Sequence, residues 1–139
     1  MITPNEREAR FALGDQDSTL GRLASMLNEA ADYQNLILKL GDRGIFCVDQ
    51  NTDVKNSYFS IDSFASNVVD AVGAGDALLA YATLSMLATK SVFIASILGS
   101  VAAACECEQE GNVAISTEQV INKLNSIQEL SGYKISNKA

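Results

Sequence analysis

The chain has 139 residues, of which 47% are hydrophobic and one is proline, and its formal net charge is −7; this composition predicts a single globular domain with an ordinary core. The negative charge argues against nucleic acid or an anionic membrane as a partner, and no uninterrupted apolar run is long enough to predict a membrane span. The sequence has three cysteines and no histidine, which favours a reduced cytoplasmic setting and excludes, for this chain, chemistry that requires a histidine base or a histidine metal ligand.

The N-terminal part of the chain predicts two helices followed by two strands. Residues 5–13 are typical of a short helix, and residues 18–31 carry apolar side chains at helical spacing. The apolar run at 35–40 predicts a buried strand. A glycine-containing turn at 41–44 then leads into a second apolar run at 45–48, which predicts the next strand.

The remainder of the chain predicts a third strand and three further helices. A polar turn at 49–53 precedes residues 54–61, which favour a strand. The later elements are an extended apolar stretch at 64–69, a glycine-rich turn, helices at 74–89, 91–105 and 117–127, a short strand at 113–115 and a frayed tail from residue 131. Strands mixed with helices indicate an α/β layer fold.

The segment most informative about function is the run Asp70-Ala71-Val72-Gly73-Ala74-Gly75-Asp76. Its two glycines let backbone N–H groups approach a ligand closely. The start of the following helix directs unpaired N–H groups and the positive end of the helix dipole to the same place, which predicts an anion site. A carboxylate, Asp76, stands at its edge. An anion site beside a potential base is what phosphoryl transfer to a hydroxyl requires.

Over residues 2–127 the chain resembles the C-terminal half of a ribokinase-like (PfkB) carbohydrate kinase. Residues 3–8 resemble the family's Asn-x-x-Glu segment, 38–45 its strand, Leu-Gly turn and next strand, and 68–77 its anion-hole and base motif. The alanines at 102–104 and the glycine at 111 are similar to the family's late helix and its glycine.

The resemblance implies part of a three-layer α/β/α sandwich. Residues 1–130 would form its C-terminal nucleotide-binding and catalytic portion, and 131–139 a frayed tail. The family's first half, which supplies the lid and most sugar contacts, has no counterpart in these 139 residues. The sequence is therefore interpreted as a truncated piece or as one polypeptide of a split protein.

The resemblance also implies a function: transfer of a phosphoryl group from ATP, with Mg²⁺, to a hydroxyl of a sugar or sugar-like small molecule. Asp76 would be the catalytic base, and the N–H groups of Gly73, Ala74 and Gly75 would form the anion hole. The other residues that the resemblance implies in the site are Gly41 and Gly44 beside the nucleotide phosphates or ribose, Ser100 beside adenine, Asp70 in the glycine-rich loop, and Asn5 and Glu8 near Mg²⁺.

Several of these residues have a structural alternative. Asn5 and Glu8 have the spacing of a helix capping box, and the glycines at 41 and 44 also fit a hairpin turn. Asp70 is equally suited to capping or turn formation. Four positions depart from the family's common pattern: Ala71 lacks the hydroxyl of a threonine, Leu78 and Tyr81 replace a phenylalanine and a glycine, and Lys39 stands where threonine is frequent.

A non-catalytic nucleotide-binding or interaction module is the alternative function, because half of the resembled kinase is missing. An uncovered sheet edge and apolar surface would also permit a homo-oligomer. A dinucleotide-binding dehydrogenase is disfavoured by the glycine spacing. Cys105 and Cys107 lack the further ligands of a zinc site and are predicted to pack at a helix end, while Cys47 is predicted to lie in the core.

Overall fold

The computed structural model describes residues 1–51 and 57–131, which form five α-helices around a three-stranded sheet. The helices are α1 (Glu6–Leu13), α2 (Leu20–Ala31), α3 (Ala74–Thr89), α4 (Val92–Cys107) and α5 (Thr117–Ser131). The strands are β1 (Asn35–Lys39), β2 (Ile45–Asp49) and β3 (Tyr58–Ile61), and a 3₁₀ turn (Gly41–Arg43) joins the first two strands. Within the described residues, no helix combines the length and the apolar character that crossing a bilayer requires.

The sheet is antiparallel among its three strands, in the order β1-β2-β3. Asn35 lies opposite Asp49 and Lys39 opposite Ile45, and β3 continues the sheet beyond β2. The N-terminal residues run parallel to β1, because Ile2 and Asn5 form parallel bridges to Leu36 and Lys39. The free side of β1 is therefore covered by the segment that leads into α1.

Both faces of the sheet are buried at β1 and β2, which explains why these two strands are nearly continuous apolar runs. The edge strand β3 alternates instead, with Tyr58 and Ser60 exposed. On one face, Leu36, Leu38, Phe46 and Val48 pack with side chains of α1 and α2. On the other face lie Ile37, Ile45 and Cys47, with Leu78, Ala82, Val92 and Ala95 of α3 and α4. Because successive residues of a strand point to opposite faces, this arrangement gives three layers: helices, sheet, helices.

Helices α3 and α4 form the most extensive helix pair, and small residues allow their close approach. A Cβ atom at Gly99 would lie 2.9 Å from the Leu78 carbonyl oxygen and 3.1 Å from Ala82 Cβ. Ser96 on α4 reaches the sheet, where its Oγ lies 3.2 Å from Cys47 Sγ. Cys47 is buried as predicted, and burial raises the pKa of its thiol to about 11.

Most predicted elements are present, with three main differences. The predicted strand at 113–115 is wrong: these residues are irregular, and the Val113 N–H donates to the Glu106 carboxylate instead of to a strand. The apolar stretch at 64–69 is a bent loop with Val68 and Val69 exposed. Helix α5 continues to Ser131, beyond the predicted end at 127. The predictions for 52–56 and 132–139 lie outside the described residues.

Candidate active site

The glycine-rich loop ends at Gly73, which caps the start of α3 with a backbone φ of 90°. The N–H groups of Asp76 and Ala77 donate to the Gly73 carbonyl, and the Ala74 N–H makes a longer bond of 3.4 Å to the Ala71 carbonyl. Among the described residues, the N–H groups of Gly73 and Gly75 have no acceptor. Two of the three predicted anion-hole donors are thus unpaired at the positive end of a helix.

Asp70 holds the start of this loop. Its Oδ1 accepts the Val72 N–H at 2.9 Å, as Asp side chains commonly do in turns. The N–H groups of Val69 and Asp70 both donate to the Cys107 carbonyl, at 2.7 and 3.1 Å. The loop is therefore fixed to the C-terminal end of α4, and the structural alternative for Asp70 agrees with these bonds.

Asp76 lies in the first turn of α3 with an exposed side chain. It borders one shallow cavity with Leu79 and Thr83 on the outer face of α3, and another with Gly73 and Glu106. The carboxylate makes no ion pair within the described residues, so its oxygens are open to a group brought to this surface.

The sequence analysis did not identify two further residues at the loop, Glu106 and Asn112. A Cβ atom at Gly73 would lie 2.7 Å from Glu106 Oε1 and 2.5 Å from Asn112 Oδ1. Glu106 is 1% exposed; its Oε1 accepts the Val113 N–H at 3.0 Å, and its Oε2 has no partner among the described residues. The sequence feature that could have indicated Glu106 is that it is the single carboxylate in the largely apolar sequence of α4.

A cavity of about 330 Å³ lies between the sheet and the α3–α4 pair. Its walls bring together Gly41, Gly44, Gly75 and Ser100 of the predicted site, and Ala74 also lines it. The Ser100 Oγ is buried and has no hydrogen-bond partner within the described ranges. The remaining walls are largely apolar, with Phe64, Leu78, Ala103 and Ala104 among them. A mostly apolar cavity with a few polar atoms is typical of sites for small molecules.

The rim of this cavity at Gly44 is formed by two segments of backbone in close contact. A Cβ atom at Gly44 would lie 2.0 Å from the Ile61 carbonyl oxygen and 2.7 Å from the Asp62 carbonyl carbon. The exit of β3 therefore crosses directly over the turn that follows β1. A residue with any side chain at position 44 would push these segments apart.

Asn5 lines a neighbouring groove, neither Asn5 nor Glu8 lines the central cavity, and the two residues form the capping box that their spacing allows. The Glu8 N–H donates to Asn5 Oδ1 at 2.7 Å, and the Asn5 N–H donates to Glu8 Oε2 at 2.8 Å. Across residues 1–51 and 57–131, no group of three or more potential side-chain ligands is arranged to hold a metal. A metal at Asn5 and Glu8 would therefore need most of its ligands from water or a bound substrate.

An ionic network joins α1 to the turn after β1. Glu6 accepts hydrogen bonds from Arg10 and Arg43, and Arg10 also pairs with Asp15. The hydrogen bond from Arg10 is the main cause that lowers the pKa of Glu6, and the Ser18 hydroxyl is the main cause that lowers the pKa of Asp15. The network holds the turn at 41–43 against the capped end of α1.

The chain is similar in sequence and in structure to known carbohydrate kinases. The family model described as pfkB family carbohydrate kinase matches residues 1–119. The bifunctional protein HldE of Helicobacter acinonychis (strain Sheeba) is 30% identical over 128 residues, which cover 90% of this chain and 27% of that protein. The chain therefore spans about 27% of the length of this curated relative.

Solved structures show the same relationship. Ribokinase from Thermotoga maritima superposes with a TM-score of 0.74 at 27% identity, over 88% of this chain and 41% of that one. Arabidopsis thaliana ribokinase, in a complex with ribose and ATP, gives a TM-score of 0.72 at 25% identity, over 88% of this chain and 39% of that one. The predicted partial α/β/α fold is confirmed. Since the family model covers most of its length, the chain belongs to the pfkB family of carbohydrate kinases.

Proposed function

We propose that this chain provides the catalytic portion of a cytoplasmic kinase that transfers the γ-phosphoryl group of ATP to a hydroxyl of a sugar or sugar-like small molecule. The observation that carries the proposal is the pair of unpaired N–H groups at Gly73 and Gly75, one of them beside the central cavity, with the free carboxylate of Asp76 in the next position. Developing negative charge on a transferred phosphoryl group is stabilised by donors of this kind.

The proposed binding mode follows from the walls of the central cavity. The base of the nucleotide would lie against the apolar residues near Phe64 and Ala104, where the unpaired Ser100 hydroxyl offers a hydrogen bond. The phosphates would then extend past Gly44 towards Gly75. Asp76 would accept the proton of the attacking hydroxyl, because its side chain is exposed one residue beyond Gly75.

Mg²⁺ fits this site only if the nucleotide and water supply most of its ligands. Glu8 is exposed, and its Oε2 is occupied by the capping box, which leaves Oε1 for a water-mediated contact. Mg²⁺ usually keeps several waters and binds substrate phosphates together with one or two carboxylates. When bound, it would neutralise phosphate charge. The residues placed to hold it are Glu8 and, through its side-chain amide, Asn5.

The proposal is tested by substituting Asp76 with asparagine, which removes the base and keeps the size of the side chain. We expect the rate of phosphoryl transfer to fall by about 10²–10⁴-fold, with little change in the ATP dissociation constant. Asp17→Asn is the matched control, since Asp17 is also exposed but lies on the opposite side of the sheet, before α2. The measurements are calorimetry with ATP and Mg²⁺ and a transfer assay with a panel of sugars.

Three outcomes separate the candidate functions. Binding with turnover that Asp76→Asn abolishes supports the kinase. Binding without turnover for any acceptor favours the alternative, a nucleotide-binding or interaction module. Absence of ATP binding to the unsubstituted chain contradicts the kinase and the nucleotide-binding module, and leaves only the interaction module.

A further inference from the structure

The geometry points to Lys39 as a phosphate-binding residue, which supplies the positive charge that the unpaired N–H groups of the glycine-rich loop lack. This inference rests on the proposed function, because it assigns a protein contact to the phosphates of the nucleotide. It adds a residue for which the sequence analysis predicted no role.

The position of Lys39 places its ammonium group at the start of α3. Lys39 is the last residue of β1 and is partly buried. Its Nζ lies 3.1 Å from the position that a Cβ atom on Gly75 would occupy. The glycine at 75 thus leaves room for the ammonium group beside an N–H that has no acceptor among the described residues. Lys39 and Gly75 also line the same cavity as Gly41 and Gly44.

Lys39 has no carboxylate partner in the part of the chain that the structure describes. Four basic residues of the described ranges make ion pairs with carboxylates: Arg10, Arg22, Arg43 and Lys123. Lys39 makes none with any described residue, although the chain as a whole carries an excess of acidic groups. A partly buried ammonium group without a counter-charge favours an anionic ligand at the cavity.

The form of the cavity favours a phosphate chain over a single small anion. Lys39 lines both the central cavity and the open groove beside Asn5, Arg7 and Gly41. Its ammonium group therefore stands where the two spaces adjoin. A nucleotide with its base beside Ser100 would carry its phosphates out through this position.

The test compares Lys39→Met, which removes the charge, with Lys39→Arg, which keeps it, in the full chain. Calorimetry would measure the binding of ATP, ADP, adenosine and inorganic triphosphate. We expect Lys39→Met to weaken ATP, ADP and triphosphate binding by about tenfold or more, with adenosine unchanged, and Lys39→Arg to retain most of the affinity. Lys90→Met is the control for net charge, because Lys90 is exposed at the far end of α3.

Each result of this comparison supports or overturns the inference. Equal loss of ATP binding in Lys39→Met and Lys90→Met would show a general effect of charge and would overturn the inference. The inference would also be overturned if Lys39→Met weakened adenosine binding as much as ATP binding. Unchanged ATP binding in Lys39→Met overturns the inference and leaves the proposed function intact. If the unsubstituted chain binds neither ATP nor triphosphate, the proposed function and the inference fail together. Urea unfolding of each variant would show that the fold is retained.

Discussion

Gly73 is the residue at which the conformation of the loop and the packing of the site depend on each other most directly. Its φ of 90° lies in the left-handed region that residues with side chains rarely adopt. Its missing Cβ is also what lets the Glu106 carboxylate and the Asn112 amide approach the start of α3. Either requirement alone would favour glycine, and together they leave no alternative residue.

We expect Gly73→Ala to destabilise the chain and to abolish ATP binding. Backbone strain of this kind costs about 1–3 kcal/mol, and the new methyl group would overlap Glu106 and Asn112 at distances below 3 Å. Urea unfolding and calorimetry would measure both effects.

The matched control for this substitution is Gly14→Ala. Gly14 has a comparable φ of 64°, but a Cβ atom there would meet nothing within 4 Å. This variant should lose stability through strain alone and keep its ATP affinity. Equal behaviour of the two variants would show that the contacts at Gly73 have no role in the site.

The difference between Gly73 and Glu106 also shows what the sequence could and could not predict at this scale. Gly73, Gly75 and Asp76 were identified because they are close together in a run whose chemistry can be read locally. Glu106 is far along the chain and reaches the loop only through the packing of α4 against α3. A carboxylate in an apolar helix is ordinarily expected at a solvent-facing position, and nothing in the sequence shows that this one is buried.

At the scale of elements, helices and buried strands were predictable because their patterns are long and their ends are marked. Asn5, Thr19 and Ser91 each cap a helix with a side-chain hydrogen bond. The prediction of a short strand at 113–115 was wrong for a physical reason. Three apolar residues form a strand only if a partner strand is available, and the Val113 N–H is instead satisfied by Glu106.

The ionic network between α1 and the turn after β1 predicts that the free energy of unfolding depends on pH in the acidic range. The pKa values of Glu6 and Asp15 are lowered in the folded chain by hydrogen bonds from Arg10 and Ser18. Carboxyl groups with lowered pKa values bind fewer protons when folded than when unfolded. Their contribution to stability is therefore present above the unfolded pKa, about 4.5 for glutamate, and is lost as the pH falls through the folded value.

Urea unfolding between pH 7 and pH 3 would measure this dependence. We expect the free energy of unfolding to fall as the pH decreases below about 4.5, and Arg10→Met to reduce the slope. Arg22→Met is the control, since Arg22 forms only a long, exposed pair with Glu29. The two variants should differ; identical slopes would mean that the network does not stabilise the fold.

For the molecule as a whole, the dominant feature is an apolar surface that the described residues do not cover. Helix α3 is apolar around its whole circumference, and Leu79, Leu84 and Leu87 on its outer face are between 44% and 65% exposed. A helix that is apolar on all sides is normally buried. The matched structures are more than twice as long as the aligned region. The sequence analysis predicted the fold class and an uncovered apolar surface, but it did not predict that this surface lies on α3.

We expect the 139-residue chain, when alone in solution, to associate through this outer face of α3. Leu84→Glu combined with Leu87→Glu should shift the distribution towards monomer, because charged side chains disfavour burial of the face. Sedimentation velocity over a series of protein concentrations would measure the shift. Leu130→Glu is the control, because Leu130 is 89% exposed on α5. A monomeric unsubstituted chain at every concentration would contradict the expectation.

The parallel bridges between residues 2–5 and β1 impose an order on folding. The β1–β2 hairpin closes across a short turn, whereas the pairing of Ile2 with Leu36 must enclose both α1 and α2, and longer loops cost more entropy to close. The N-terminal segment should therefore dock last and detach first. Two hydrogen bonds hold this segment to β1: the Ile37 and Lys39 N–H groups donate to the carbonyls of Ile2 and Pro4. Exchange of these two amides therefore measures detachment of the segment. Deuterium uptake at these amides, ahead of the rest of β1, would reveal early release of the strand end that carries the Lys39 side chain.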